Sequence, residues 1–365
     1  MKNIMFIMTK LGGTGWGGAH KVSVMLANYL AQNGYKVSFS VSEPSQQDFP
    51  VDPKIKICCL SDMYRAGSIR ELNNIKKLFS FRKSCKTENI DVIIGFTSNM
   101  AVYSILATVF SKRKTIISER TDPHIEPQKK ILRGVRNLLF CFADKIVFQT
   151  PGAKDYFPKV VRNKSIIIPN PISDTLIPKY NGEREKRIIN FCRIAPQKNL
   201  KMLLDAFNMF SQKHDDYELE IYGDSTKNDT YKNELLKYAK KLPCYQKIHF
   251  YPACSNIHEK VKNAKMFVSS SNYEGMSNSM LEAMAIGLPT IVTDCKNGGE
   301  RMCIKNGENG LIVPVQNPEA LTAAMLQVVD EPGVCEKLSQ NGSKIRERFS
   351  LLKVFDVWNE IIDKI

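Results

Sequence analysis

Two long stretches of this chain each alternate short apolar runs with helical runs, and that alternation most restricts the folds open to it. Ile4–Met8, Lys36–Val41, Val92–Phe96, Lys114–Ser118 and Lys145–Phe148 read as buried strands, with helical stretches such as Ala19–Gln32 and Asn74–Glu88 between them. Strands apolar on both faces need cover on both sides, which predicts parallel sheets with helices packed above and below. A short apolar run, Ile166–Ile168, stops at Pro169-Asn170-Pro171, and the charged stretch Lys179–Arg187 reads as a linker. The pattern then restarts with strands at Ile188–Cys192, Tyr217–Tyr222, Ile248–Tyr251, Met266–Ser269 and Thr290–Thr293. Helices are expected at Leu200–Gln212, Tyr231–Lys240, Pro318–Val329 and Val334–Phe349. Leu351–Ile365 places Leu352, Phe355, Ile361, Ile362 and Ile365 for an amphipathic closing helix. The fold class is therefore α/β with two doubly wound units, as a length of 365 residues also suggests. The expected boundaries are 1–172, a linker over 173–187, and 188–350.

Charge divides the two stretches. Residues 1–178 hold 26 Lys and Arg against 13 Asp and Glu, whereas the remainder holds 26 against 24. A basic first half fits an anionic surface or a pyrophosphate-linked lipid better than nucleic acid, because the aromatic-basic modules of RNA and single-strand binders are missing. No apolar run reaches the length of a membrane span, and Lys10 with a glycine cluster follows Met1–Met8 where a signal peptide would show a cleavage pattern. The expected place is the cytoplasm, at the inner membrane face if a lipid-linked partner is met. Ten scattered cysteines without any Cys-x-x-Cys argue against zinc or disulfides, and Cys58, Cys141 and Cys192 read as buried thiols. His20, His124, His214, His249 and His258 show no metal-ligand spacing, and only His20 is placed near a candidate site.

Three motifs carry chemistry. In Tyr273-Glu274-Gly275-Met276-Ser277 through Glu282 to Gly287-Leu288-Pro289, one carboxylate lies on a loop before a helix and the other two turns along it. Backbone N–H groups of that helix's first turn face the same side, which suits a sugar joined to a diphosphate. Arg193, just past a strand, and Lys198, just before a helix, bring a planar fork and a mobile point charge to the ligand-binding edge of the second sheet. They could steady a departing diphosphate without a metal, and the chain has no Asp-x-Asp triplet to hold one. Gly12-Gly13-Thr14-Gly15-Trp16-Gly17-Gly18 lets backbone approach a phosphate at a helix start. Gly13, Gly15 and Gly18 also match the dinucleotide fingerprint, with Glu43 downstream, so an NAD-dependent oxidoreductase stays open. A purely structural turn is a further alternative.

In order along the chain, Gly17-Gly18-Ala19, Arg193…Lys198-Asn199, Glu274-Gly275, Glu282-Ala283-Met284-Ala285-x-Gly-x-Pro, Asn306-Gly307-Glu308-Asn309-Gly310-Leu311 and Asn317-Pro318-Glu319-Ala320-Leu321 resemble glycosyltransferase family 4. Tyr273–Met284, with Asp294-Cys295 and Gly298-Gly299, is most similar to bacterial members that build capsular or exopolysaccharide chains. The resemblance implies a GT-B fold, two Rossmann-like domains facing across a cleft with the last helix crossing back to the first. It implies retaining, cofactor-free and metal-independent transfer from a nucleotide-sugar, a UDP-sugar in preference, to a lipid-linked or polysaccharide acceptor. Arg193 and Lys198 would hold the donor diphosphate, Glu274 with the N–H groups of Gly275, Met276 and Ser277 the sugar, and Glu282 the ribose; Gly17 and Gly18 would line the first domain's side. The catalytic set is Glu274, Arg193 and Lys198, with no covalent nucleophile assigned and Glu274 as nucleophile the alternative. Where many relatives have a histidine this chain has Glu119, Arg120 and Asp122, which with His20 form the acceptor-side set. Met302 stands where many relatives have an acid. An inactive GT-B scaffold is the non-enzyme alternative.

Gln128–Ala143 sets Ile131, Leu132, Val135, Leu138, Leu139 and Phe142 on one stripe and Lys129, Lys130, Arg133 and Arg136 on the other side. The favoured expectation packs the stripe on the first sheet with its lysines in water; an anionic membrane surface is the alternative.

Overall fold

The computed structural model describes residues 2–12, 18–44, 47, 49–60, 70–225 and 230–365. Thirteen strands form two all-parallel sheets among these residues. The first holds β1 (Asn3–Met8), β2 (Lys36–Val41), β3 (Lys56–Cys59), β4 (Val92–Phe96), β5 (Lys114–Glu119), β6 (Lys145–Phe148) and β7 (Ser165–Ile167), in the order β3-β2-β1-β4-β5-β6-β7. The second holds β8 (Glu185–Phe191), β9 (Glu218–Tyr222), β10 (Ile248–Tyr251), β11 (Ala264–Ser269), β12 (Thr290–Thr293) and β13 (Leu311–Val313), in the order β10-β9-β8-β11-β12-β13. Each order reverses once, at β1/β4 and at β8/β11. Chains leaving two such neighbouring strands depart in opposite directions and open a crevice at the strands' C-terminal ends.

Helices of the first unit are α1 (Gly18–Gln32), α2 (Arg70–Thr87), α3 (Ser98–Thr108), α4 (Lys130–Phe140), α5 (Pro151–Asp155) and α6 (Lys159–Asn163). Those that follow are α7 (Leu200–Phe210), α8 (Thr230–Ala239), α9 (Ile257–Val261), α10 (Asn278–Ala285), α11 (Gly299–Cys303), α12 (Pro318–Asp330), α13 (Val334–Ser343), α14 (Ile345–Arg348) and α15 (Leu351–Lys364). Residues Met1–Asn170 and Val354–Ile365 make one compact unit, and Pro171–Lys353 the other. β8 begins at Glu185, so the last three residues of the expected linker are strand.

Ile4–Ile7, Val92–Ile94, Ile116 and Ile117 are sealed from solvent because β1, β4 and β5 are covered on both faces. Val354–Ile365 completes that core: Trp358 stacks on Phe96 at 5.8 Å, Phe355 meets Tyr29 at 5.5 Å, and Lys2 Nζ donates to the Ile362 carbonyl at 2.6 Å. Leu352, expected on the apolar side of that helix, is exposed, and Trp358 takes the central place. The second unit packs α7 and α12 over its own sheet, with Leu203, Phe207 and Leu321 buried between.

All ten cysteines are free; Cys58, Cys141 and Cys192 are half-buried rather than buried, whereas Cys85, Cys244, Cys295 and Cys303 are enclosed. The expected helix Val334–Phe349 is two, α13 and α14, meeting at Lys344.

α4 departs from the favoured expectation: Lys129 and Lys130 are in water, but of the apolar stripe only Leu139 packs against the core. Arg136 and Phe140 face the core, and Ile131, Leu132, Val135, Leu138 and Phe142 face out. The buried Arg136 explains this orientation. Its Nη2 donates to the Pro123 carbonyl at 3.1 Å, its Nη1 reaches the Glu126 carbonyl, and its guanidinium lies 4.9 Å from the Phe157 ring and 5.2 Å from that of Tyr156. Turning the apolar stripe inward would break those bonds and expose Phe140.

Candidate active site

The second unit's reversal point assembles the charged residues. β8 runs out into Cys192 and Arg193, and a 3-10 turn, Pro196–Lys198, leads to Asn199. Asn199 has φ 43°, a left-handed value that asparagine tolerates better than most residues, and it turns the chain into α7. Its amide donates to Asn272 Oδ1 at 3.0 Å, and Ser270 Oγ donates to the carbonyls of Lys198 and Asn199 at 3.0 Å. The loop after β8 is thereby fastened to the loop after β11.

Glu274 is the centre of that join. Lys198 Nζ donates to Oε1, which also accepts from Ser271 Oγ at 2.7 Å; Gln197 Nε2 donates to Oε2 at 3.1 Å and to the Tyr273 carbonyl at 2.9 Å. Asn297 Nδ2 holds the Glu274 carbonyl at 3.1 Å from the loop after β12. Burial pulls the Lys198 ammonium toward its neutral form, but the Glu274 carboxylate outweighs it and leaves the lysine above its ordinary value. Arg193 is exposed and joins through Gln197, whose Oε1 accepts from Nη2 at 3.2 Å.

Ser277 caps α10 by accepting from Met280 N at 3.3 Å, so its hydroxyl serves the helix. Gly287, at φ 84°, ends the helix in the left-handed conformation, and Pro289 then starts the path into β12. Glu282, inside α10, lies 3.0 Å from His258 Nε2 on α9. Gly299 must lack a side chain, because a Cβ there would sit 2.4 Å from the Gly275 carbonyl oxygen. This close approach brings the start of α11 against the Glu274–Gly275 loop. Glu300 follows, 2% exposed, with Oε2 lacking a hydrogen-bond partner; desolvation, with the nearby Glu274 charge adding to it, raises its carboxyl to about 8.

Gln197, Ser271, Asn297 and His258 were not among the residues singled out from sequence for this site. Only the run Ser269-Ser270-Ser271-Asn272, at a strand's C-terminal end, carried a signal that could have found any of them.

In the first unit, Glu119 ends β5, Arg120 and Asp122 follow it, and all three are buried. Glu119 accepts from the N–H groups of Arg120 and Thr121 at 3.0 and 3.1 Å and from Ser98 Oγ, which ties the β5 turn to α3. Asp122 Oδ1 accepts from His124 N at 2.9 Å. Arg120 donates to Asn170 Oδ1 at 2.7 Å and lies 4.7 Å from the Phe96 ring; burial, partly offset by Glu119, lowers it to about 9. His20 is buried in α1. Gly18 opens that helix, whereas Gly13, Gly15 and Gly17 lie outside the described residues; Glu43 is paired with Lys10 at 3.0 Å. Among the described residues no group of three or more His, Cys, Asp and Glu side chains is placed to hold a metal, and no helix is long and apolar enough to cross a membrane.

Two family profiles match: "Glycosyltransferase Family 4" over residues 16–176 and "Glycosyl transferases group 1" over residues 173–345. An alpha-1,4-N-acetyl-D-galactosaminyltransferase of Campylobacter jejuni, named for its GalNAc-alpha-(1->4)-GalNAc-alpha-(1->3)-diNAcBac-PP-undecaprenol substrate, is 24% identical over 100% of this chain and 99% of its own. The amylovoran biosynthesis glycosyltransferase AmsD of Erwinia amylovora is 23% identical, covering 95% of this chain and 96% of its own. HepE of Anabaena, solved with UDP and glucose, superposes with a TM-score of 0.85 at 16% identity over 100% of both chains, which shows the same GT-B fold. With profiles that together reach from residue 16 to residue 345, and relatives matched over nearly its whole length, the chain belongs to glycosyltransferase family 4.

Proposed function

We propose that this glycosyltransferase moves a hexose or N-acetylhexosamine from a nucleotide-sugar, a UDP-sugar in preference, to a lipid-linked or polysaccharide acceptor in cell-surface glycan synthesis, with retention of configuration. The observation that carries the reading is the buried Lys198–Glu274 pair at the β8/β11 reversal, with Arg193 joined to it through Gln197. Similarity to the Campylobacter jejuni enzyme named for a PP-undecaprenol acceptor supports the lipid-linked acceptor, and the UDP and glucose in HepE support the donor.

In this reading the bond from the anomeric carbon to the diphosphate oxygen breaks with its electron pair leaving on the diphosphate. Lys198 and Arg193 stabilise that charge, a role a metal would otherwise take. The acceptor oxygen bonds to the same face of the sugar while its proton passes to the diphosphate. Glu274 orients sugar hydroxyls and forms no bond to the anomeric carbon, since Lys198 and Ser271 hold one of its oxygens and Gln197 the other. Glu282, steadied by His258, receives the ribose.

A thermal-shift panel of UDP-, GDP- and ADP-sugars with chelator present tests the donor, and NMR of the product's anomeric proton tests the stereochemistry. UDP-sugars should raise Tm, and Lys198→Ala should abolish that rise and slow transfer about a hundredfold or more. Undiminished donor binding by Lys198→Ala, or an inverted product, defeats the proposal.

A further inference from the structure

On α4, Ile131 is 82% exposed, Leu138 65% and Phe142, just past the helix end, 62%; Leu132 and Val135 are also open to solvent. At 100° per residue, positions 131, 135, 138 and 142 fall within about 60° of arc, and they span about 16 Å along the axis. A strip of four large apolar side chains, widened by Leu132, is more than a soluble surface ordinarily leaves uncovered. The buried Arg136 and Phe140 fix the helix in this rotation, so the outward strip is built into the fold and not a chance of side-chain placement.

The charge around the strip identifies its occupant. Exposed Lys129 and Lys130 stand at the start of α4, exposed Lys145 follows its end, and Lys159 and Arg162 are exposed on α6. The α6 residue Val161 packs into the same core cluster as Phe140 and Ala143, which puts α6 at that end of α4. From Gln128 to Ala143 there is no acidic residue, and the next, Asp144, is paired with Lys114 at 3.0 Å. A second copy laid on this face would oppose the cations of one α4 to those of the other, and α4 itself has no carboxylate to answer them. A surface that is apolar below and anionic at its boundary matches both halves of the pattern.

We propose that α4 is a membrane-docking helix, lying in the plane of an anionic bilayer with Ile131, Val135, Leu138 and Phe142 among the acyl chains and Lys129, Lys130 and Lys145 at the headgroups. The inference stands apart from the reaction proposed above, because docking needs neither donor nor acceptor.

The test is flotation of the full chain with vesicles of phosphatidylcholine alone and of phosphatidylcholine mixed with phosphatidylglycerol. The chain should float with the mixed vesicles, and the double variant Val135→Glu, Leu138→Glu should lose about tenfold or more of that binding. These positions are exposed, so an unchanged Tm should accompany the loss. Phe142→Trp adds a reporter whose emission, read against the unsubstituted chain with its Trp16 and Trp358, should shift to the blue with mixed vesicles. Flotation that survives the double variant overturns the proposal. So does absence of flotation, whether the chain is a monomer or its light-scattering mass shows a dimer that the double variant dissolves; the dimer would assign the strip to a second copy.

Discussion

Lys198 and Glu274 keep only 14% and 9% of their side-chain surface in solvent, so each depends on the other for its charge. Removing one leaves an uncompensated buried ion, a loss of roughly 3–5 kcal/mol. Lys198→Met should therefore lower Tm clearly, and Lys198→Met with Glu274→Leu should recover much of it while staying inactive; a calorimetric comparison of the three chains decides. Glu300 makes a second residue-level prediction. Its folded carboxyl titrates at about 8 against an ordinary 4.5, so the folded state holds a proton that the unfolded state has released. The associated stability is fully present below about pH 4.5 and is lost as the pH rises through about 8. Glu300→Gln, which cannot ionise, should flatten the fall of Tm between those limits; an unchanged slope would show that Glu300 is ionised throughout. Lys198 and Glu274 were legible in the sequence because charge at a strand end or before a helix is informative. Gln197, Ser271 and Asn297 were not, since uncharged residues carry no such signal until the loops after β8, β11 and β12 are brought together.

At the scale of elements, α4 shows how one residue can override a pattern. Arg136→Ala removes donors from the Pro123 and Glu126 carbonyls and a cation from the Phe157 and Tyr156 rings. It should cost about 3 kcal/mol and read out as a lower Tm with faster hydrogen exchange over residues 123–140; an unaltered exchange profile would mean the stripe's rotation has another cause. Periodicity alone could not foresee that rotation, because it finds the apolar face but not which face the core selects. Strands sealed on both faces, such as Val92–Phe96, were legible to the residue because they are continuous apolar runs with polar boundaries. β3 was missed because its side chains are half-exposed at the sheet edge, and β13 because three residues beside a turn hardly signal. α3 was missed because Ser98–Thr108 is apolar on most sides and offers no polar face to set a helical period. The doubly wound class survived these omissions, since it rests on the central strands.

For the whole molecule, Val354–Ile365 matters out of proportion to its length. It brings Phe355, Trp358 and Ile362, all fully buried, to the core of the first unit. At about 1.5–3 kcal/mol each, their loss approaches the 5–15 kcal/mol that stabilises an ordinary domain. A chain ended at Lys353 should lose amide protection across β1–β7 while β8–β13 keep theirs, as hydrogen exchange would show; retained protection in β1–β7 would make the segment dispensable. The second unit is a single stretch of chain and can close as soon as it is made. The first cannot. On the ribosome, the portion translated earliest must wait with an open flank until the closing helix emerges, so the order of synthesis and the order of completion are reversed.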